Sequence, residues 1–481
     1  MAAPPTRIGA EVAVVGSGAG GAVTAARLAA AGRDVLVLEE GPRYDPDAVE
    51  PFSLEELATR YRHRGLSASL GSPAIAFAEG RCVGGSTEVN SGLYHRLPGE
   101  LVERWARRYA IDEFDEPALD HYAEELEADL GVSRVDGAPP RSSQVLQEGA
   151  DALGWRAVEF ACVYRKEGEG PAVKQTMSRT MVPRAEASGA RVLADCRVRR
   201  VLRADGGRGR AVGLDVERTR PDGTREAVVV DADHVVVCAG AIQTPALLQR
   251  SGIRGVVGRG LKVHPTVKVA ARFLEPMDRT EVPMHRITEF APHLTIGGSA
   301  SRRGHLALAL AETGLPHADA LAHWEDVAVY YAAIRSDGMG RVTALPGARS
   351  PLVTYRLTDG DLSRLARGLV HVGDALLAAG AVELHPSIVG GPIVTDRAGL
   401  VQWWDALTRR RANLMTVHMT SSVRMGEDPS RTGTDSFGRV HDVPGLRVND
   451  ASLLPDAPGV NPQGAVMAIA ARNADHLLAT L

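Results

Sequence analysis

The chain has 481 residues, long enough for a large core and for two domains. Hydrophobic residues make up 44% and charged residues 24%, ordinary globular values that exclude a disordered or fibrous chain. The net charge of −4 excludes a basic nucleic-acid binder, and the 51 glycines mark backbone that turns tightly or lets a ligand come close.

The chain opens as a strand-turn-helix-strand unit. Glu11–Val15 is a short apolar strand, 16–21 a glycine turn, Ala22–Ala31 a helix of small residues closed by Gly32, and Asp34–Leu38 a second buried strand. Glycines, Thr24 and Arg27 break the apolar run 12–31, so it is no membrane span. Nothing at the start reads as a signal peptide. Leu101–Leu130 carries two charged helical patterns, and 135–143 reads as a loop around Pro139 and Pro140. Arg191–Val201 and Ala211–Arg218 alternate like a hairpin around the glycines at 206–209. His234–Cys238 is a strand followed by a helix to about Arg250. Ala328–Ile334 and Gly340–Leu345 read as paired strands joined by Asp337-Gly338, and Leu362–Ala379 as an amphipathic helix. Leu446–Val448 is a last strand, and a helix runs from Pro462 to about Leu478. Three strand-turn-helix units so far apart imply one nucleotide-binding sheet with insertions, and a second domain drawn from about 106–185 and 273–414. The four cysteines, Cys82, Cys162, Cys196 and Cys238, form no CxxC pair and read as buried thiols of a reducing, cytoplasmic setting.

Gly16, Gly18 and Gly21 form a GxGxxG turn between strand and helix. The first glycine allows the turn, the second lets a pyrophosphate approach, and the third lets helix and strand pack closely. Glu39 stands 21 residues after Gly18 at the end of the next strand, where a carboxylate accepts from ribose hydroxyls. This pattern predicts a dinucleotide without a 2′-phosphate and does not separate FAD from NAD.

A second glycine cluster, Gly80–Gly92, resembles the flavin-contacting loop of the glucose–methanol–choline oxidoreductases. Cys238–Ile253 and Gly258–Pro265 are similar to that family's next signatures, and Val448–Ser452 resembles its strand end beside the flavin. The resemblance implies an α/β fold: a Rossmann-like FAD-binding domain from 1–105, 186–272 and 415–481, with an inserted α+β substrate-binding domain from 106–185 and 273–414. It implies FAD contacts from Gly16, Gly18, Ala19, Gly21 and Glu39, from Gly84, Gly85, Ser86 and Asn90, from Val198, Ala239 and Gly240, and from Asp450, Ala451 and Pro462. Some family members attach FAD through a histidine where this chain has Val89, so the cofactor is expected without a covalent link.

The fifteen histidines form no tight ligand pattern, and no metal is expected. Val417–Gly426 resembles the family segment that presents a catalytic histidine, which makes His418 the expected base; an imidazole titrates near working pH. Asn461, before Pro462, reads either as a helix cap or, by resemblance to the cholesterol oxidase and long-chain alcohol oxidase branch, as a donor to the substrate oxygen. The expected partners are a small-molecule alcohol and oxygen or another electron acceptor. Ile334–Thr343 resembles the same branch and tilts the substrate toward a lipophilic or natural-product alcohol. Sugar or aminoglycoside alcohols, and a non-redox FAD-containing lyase, stay open. Trp324, Tyr330, Tyr331, Trp403 and Trp404 are candidates for pocket walls.

Overall fold

The computed structural model describes residues 5–134, 138–166, 172–277, 284–311 and 322–481. The core of the nucleotide-binding half is a seven-stranded sheet. Thr6–Val15 runs parallel to Val35–Leu38 on one side and to Arg225–Val237 on the other, and Arg191–Leu193 and Leu446–Val448 extend the parallel set. Residues 12–15 and 35–38 are buried throughout, as strands covered on both faces must be. Helices Ala19–Ala30, Met181–Ala187 and Gln463–Leu478 cover one face, and Gly99–Tyr109 and Gly240–Arg250 the other.

The first helix begins at Ala19, three residues before the expected Ala22. Gly20 and Gly21 are inside it because the helix lies too close to its neighbours for side chains: a Cβ at Gly20 would sit 2.0 Å from the Asn449 carbonyl oxygen, and one at Gly21 2.0 Å from that of Gly16.

The second half is built on a nine-stranded, mostly antiparallel sheet. Its central strands are Thr266–Arg272, Val327–Ile334, Leu294–Gly298 and His285–Ile287, and Leu414–Thr416, Ile75–Phe77 and Ser67–Ser69 extend one edge. Helices Arg141–Leu153 and Asp359–Ala378 close one face of this sheet with Val145, Leu146, Leu365, Leu369, Val372 and Leu376. The other face looks toward the nucleotide sheet. Ser67–Ser69, Ile75–Phe77 and Thr266–Arg272, from segments expected in the nucleotide-binding domain, are strands of this second sheet. The helices Gly99–Tyr109 and Glu116–Leu130 pack on the first.

Three local expectations are corrected. Arg191–Val201 is not one strand. Asp195 takes a positive φ of 57°, its N–H donates to Gly41, and the Cys196 N–H donates to Glu39, so the chain steps from the parallel edge into a hairpin of Cys196–Arg203 with Ala211–Thr219. The loop before residue 143 is shorter: 135–137 lie outside the described residues, and Pro140 leads directly into a helix from Arg141. Val327–Ile334 and Met339–Thr343 are not paired with each other. The first lies in the nine-stranded sheet and the second in a four-stranded one. The corner between them is held by partners distant in sequence. The buried Asp361 carboxylate accepts from the N–H groups of Asp337 and Gly338 and from the Ser336 hydroxyl, each at 2.9 Å. Lys262 Nζ donates to the carbonyls of Asp337 and Gly338 at 3.1 and 2.9 Å.

Candidate active site

A cavity of about 860 Å³ runs between the two large sheets. Every residue expected to touch cofactor or substrate lines it except Gly21 and Gly84, which lie just behind its wall. Gly21 packs on Gly16, and Gly84, at φ 94°, donates its N–H to Ser17 Oγ.

At the nucleotide end the first helix has no side-chain cap at Gly18 and no acidic residue in its first turn, so its free N–H groups face the cavity. A Cβ at Gly18 would meet nothing nearer than Gly85 Cα at 3.8 Å, and one at Gly240 nothing within 4 Å. Both glycines therefore offer bare backbone to a ligand. The buried Glu39 carboxylate accepts from the Ser17 hydroxyl at 2.8 Å, the Ser17 N–H at 3.1 Å and the Gly41 N–H at 2.9 Å. Burial pushes its pKa up, and the three donors oppose that. Asp450 accepts from the Gly240 N–H at 2.8 Å, from the Thr244 hydroxyl, and from the Ser452 N–H and hydroxyl. It fastens the Ala239–Gly240 turn to the end of the last strand, where Ala451 lines the cavity. Asn90 Nδ2 donates to Gln463 Oε1 at 2.5 Å, linking the Gly80–Gly92 loop to the last helix. Ser86 Oγ takes the Gly80 N–H at 3.0 Å, and Val198 flanks the Glu39 end with Cys196 and Arg197.

At the other end His418 and Asn461 meet: the Asn461 amide nitrogen is 3.4 Å from His418 Nε2. Pro462 stands at the helix cap, so Asn461 is free to face the histidine instead of capping. Behind them is a histidine from the Gly258–Pro265 segment that was not among the expected site residues. His264 Nδ1 is 2.9 Å from His418 Nδ1, with the rings perpendicular, and the Gly459 N–H donates to His264 Nε2 at 3.0 Å. Because a backbone N–H can only donate, His264 carries its proton on Nδ1 and donates it to His418. His418 then presents an Nε2–H to the cavity, and in this setting the Asn461 amide nitrogen, itself a donor, makes no hydrogen bond to it. His418 becomes a proton acceptor there in the other setting, in which His264 carries its proton on Nε2 and gives up the Gly459 bond. Burial lowers the His418 pKa to about 4. Burial and the His418 ring hold His264 well below the ordinary range, so both rings are neutral at pH 7.

Of the five candidate aromatic walls, only Tyr331 lines the cavity. Tyr330 points to the opposite face and donates to the Ser142 carbonyl, Trp403 is buried in the core against Gly373, Trp404 lies on the surface, and Trp324 packs on a satellite cluster. Ser17, His264 and Arg286 are the site residues that sequence reasoning did not single out. No local signal separates them from ordinary serine, histidine and arginine. All four cysteines are buried free thiols. Among the described residues no helix is long and apolar enough to cross a membrane.

The N- and C-terminal profiles of the GMC oxidoreductases match residues 18–266 and 337–470. The chain belongs to the GMC oxidoreductase family. Its GMC relatives include the uncharacterised GMC-type oxidoreductase y4nJ of Sinorhizobium fredii, 38% identical over 98% of this chain and 94% of the relative. They also include the long-chain-alcohol oxidase FAO1 of Arabidopsis thaliana, 26% identical over 96% of this chain and 66% of the relative. The crystal structure of pyridoxine 4-oxidase from Mesorbium loti superposes with a TM-score of 0.73 at 20% identity, covering 98% of this chain and 99% of that one. The two-domain GMC architecture, the oxidoreductase class and FAD as cofactor follow. The residues fit that cofactor: the bare glycine backbone, the uncapped helix N-terminus and Glu39 form one continuous wall.

Proposed function

We propose that this GMC oxidoreductase oxidises a CH–OH group to a carbonyl, acting on a lipophilic or natural-product alcohol. The observation that carries the reading is the His264–His418–Asn461 array on the cavity wall. It is a neutral imidazole with a hydrogen-bonding amide beside it, both on the cavity wall. When bound, FAD supplies the two-electron acceptor that receives hydride at N5. His418 Nε2 holds the hydroxyl oxygen and takes its proton in the tautomeric setting that leaves Nε2 bare. Asn461 donates to the same oxygen and stabilises negative charge as the proton leaves. Gly16, Gly18 and Glu39 would hold the dinucleotide, and the 80–92 loop, whose Val89 and Asn90 line the same cavity, would complete the cofactor's wall. The long-chain-alcohol oxidases among the relatives support an alcohol substrate, and the apolar side chains of Leu57, Val329, Ala333 and Val417 in the wall support a lipophilic one. The four buried thiols support a cytoplasmic setting.

Val89 is buried at the position of the attaching histidine and offers no nucleophile. Acid precipitation therefore releases all the flavin as free FAD; flavin left in the protein pellet would refute non-covalent binding. The test of the function is an anaerobic screen of alcohols for flavin bleaching, followed by admission of air. Bleaching by an alcohol with formation of its carbonyl supports the reading, and recovery in air identifies oxygen as an acceptor. An alcohol cleaved with no change in flavin colour would make the protein a lyase and overturn it.

A further inference from the structure

The cavity wall formed by the nine-stranded sheet carries a polar row. Lys268 pairs in register with Tyr331, Tyr331 with Gly297, and Gly297 with Arg286. Directly opposed residues on neighbouring strands share one face of a sheet. That face is the cavity wall, which Lys268, Tyr331 and Arg286 line. Gly297 leaves a gap in the row, and a Cβ there would lie 2.7 Å from the Tyr331 hydroxyl oxygen. The phenol thus lies across the glycine, on the side from which Arg286 approaches.

The Arg286 guanidinium rests 4.9 Å above the Phe160 ring, and its Nε is buried without a hydrogen-bond partner. Among the described residues it has no carboxylate partner, and Tyr331 is close enough to act on its charge. The Tyr331 hydroxyl likewise makes no hydrogen bond to a described residue. His95 packs edge-on against the same Phe160 ring, with centroids 4.5 Å apart, and both its ring nitrogens are buried and unpartnered. Burial first, then the positive charge of Arg286, holds His95 down to about 3, so the ring is neutral and adds no second positive charge beside the guanidinium. A part-buried guanidinium left without a counter-charge is destabilising, and a cavity that keeps one open is completed by a ligand that brings the charge. Guanidinium and phenol donors side by side suit an oxyanion.

We infer that the alcohol taken by this site carries an oxyanionic group, a carboxylate or a phosphate monoester, bound by Arg286 and Tyr331, on an otherwise apolar body. This rests on the alcohol-oxidation reading and names its substrate class. It also sets the polycationic aminoglycosides aside, since Arg286 repels them.

The test uses the FAD-loaded protein and three probes: hexane-1,6-diol, 6-hydroxyhexanoate and 6-hydroxyhexyl phosphate. Binding is followed by calorimetry and by perturbation of the flavin spectrum. At least one anionic probe is expected to bind about 10- to 100-fold more tightly than the diol, and the tighter of the two identifies the group. Arg286→Met should bring the anionic probe down to the affinity of the diol, with flavin content and melting temperature confirming a folded holoenzyme. Arg286→Lys should keep part of the preference, and Tyr331→Phe should lose part of it. Equal affinities for all three probes in the unaltered protein, no binding of either anion, or a preference that survives Arg286→Met would overturn the inference. Tight binding of an anionic probe, lost in Arg286→Met, without oxidation of any alcohol would sink the oxidation reading and leave the oxyanion site at Arg286 and Tyr331 standing by itself. Oxidation with no charge preference would do the reverse.

Discussion

The two ends of the cavity are finished to different degrees. At the nucleotide end every acid is already engaged: Glu39 accepts from three protein donors and Asp450 from four. At the substrate end Arg286 Nε and both nitrogens of His95 have no partner, and three histidines are held neutral by burial. The first end is a rigid mould whose ligand adds bonds to a network that stands without it. The second keeps polar capacity in reserve, and its chemistry depends on what enters.

The largest effect that would sharpen this contrast comes from His418→Ala. Flavin reduction in anaerobic stopped flow should slow by roughly 10²–10⁴-fold, with FAD still bound because its contacts lie at the other end. Reduction at the unaltered rate would remove His418 from the chemistry. Asn461→Ala should cost about 2–3 kcal/mol of transition-state stabilisation. In the double variant the two losses should be less than additive, since both groups act on one oxygen; full additivity would separate their roles.

Glu39→Gln probes the finished end. Losing the charge while keeping the shape should weaken FAD binding by about 1.5–3 kcal/mol, read from apoprotein titration, and leave alcohol affinity in the reloaded enzyme alone. Glu39→Ala goes further, because it also strands the Ser17 and Gly41 N–H groups, and its melting temperature should fall. A Glu39→Ala protein with unchanged FAD affinity would assign the residue to the fold alone.

The smallest effect is a pH slope in stability. His418 has a pKa of about 4 in the folded chain against 6.5 for an unperturbed ring. Between those values the unfolded chain binds a proton that the folded ring refuses. The stability present above 6.5 is therefore lost as pH falls toward about 4. Between pH 5 and pH 7 the stability of His418→Gln, read from denaturant unfolding, should change by about 2 kcal/mol less than that of the unaltered protein, about 1 kcal/mol per pH unit. Identical slopes would mean that the ring is not held neutral.

Legibility in the sequence followed the same divide. The nucleotide end could be read because its requirements are local: glycines at fixed spacing, an acid at the end of the next strand, a helix that starts on the turn. Even there Gly20 and Ser17 went unnoticed, since their partners, Asn449 and Glu39, are far along the chain. The substrate end is assembled across the chain. His264 lies 154 residues from His418, and the row of Arg286, Gly297 and Tyr331 exists only once three strands are in register. The expected hairpin at 328–345 failed for the same reason. Asp337-Gly338 carries the local signal of a two-residue turn, but Lys262 and Asp361 bend the chain out of one sheet and into another.

That corner also has a mechanical meaning. Lys262 is on the strand that leads into His264, and Ser336 follows the strand that bears Tyr331, so the knot ties the proton-handling wall to the opposite wall. Swinging the sheets apart would pull a buried ammonium off its carbonyls. Leu54, Leu66 and Val417 line the cavity and also stand out into solvent, at 67%, 81% and 56% exposure. Changes at those three positions should alter the rate of substrate entry, followed by stopped flow at varied alcohol concentration, and leave the rate of the bound reaction as it was.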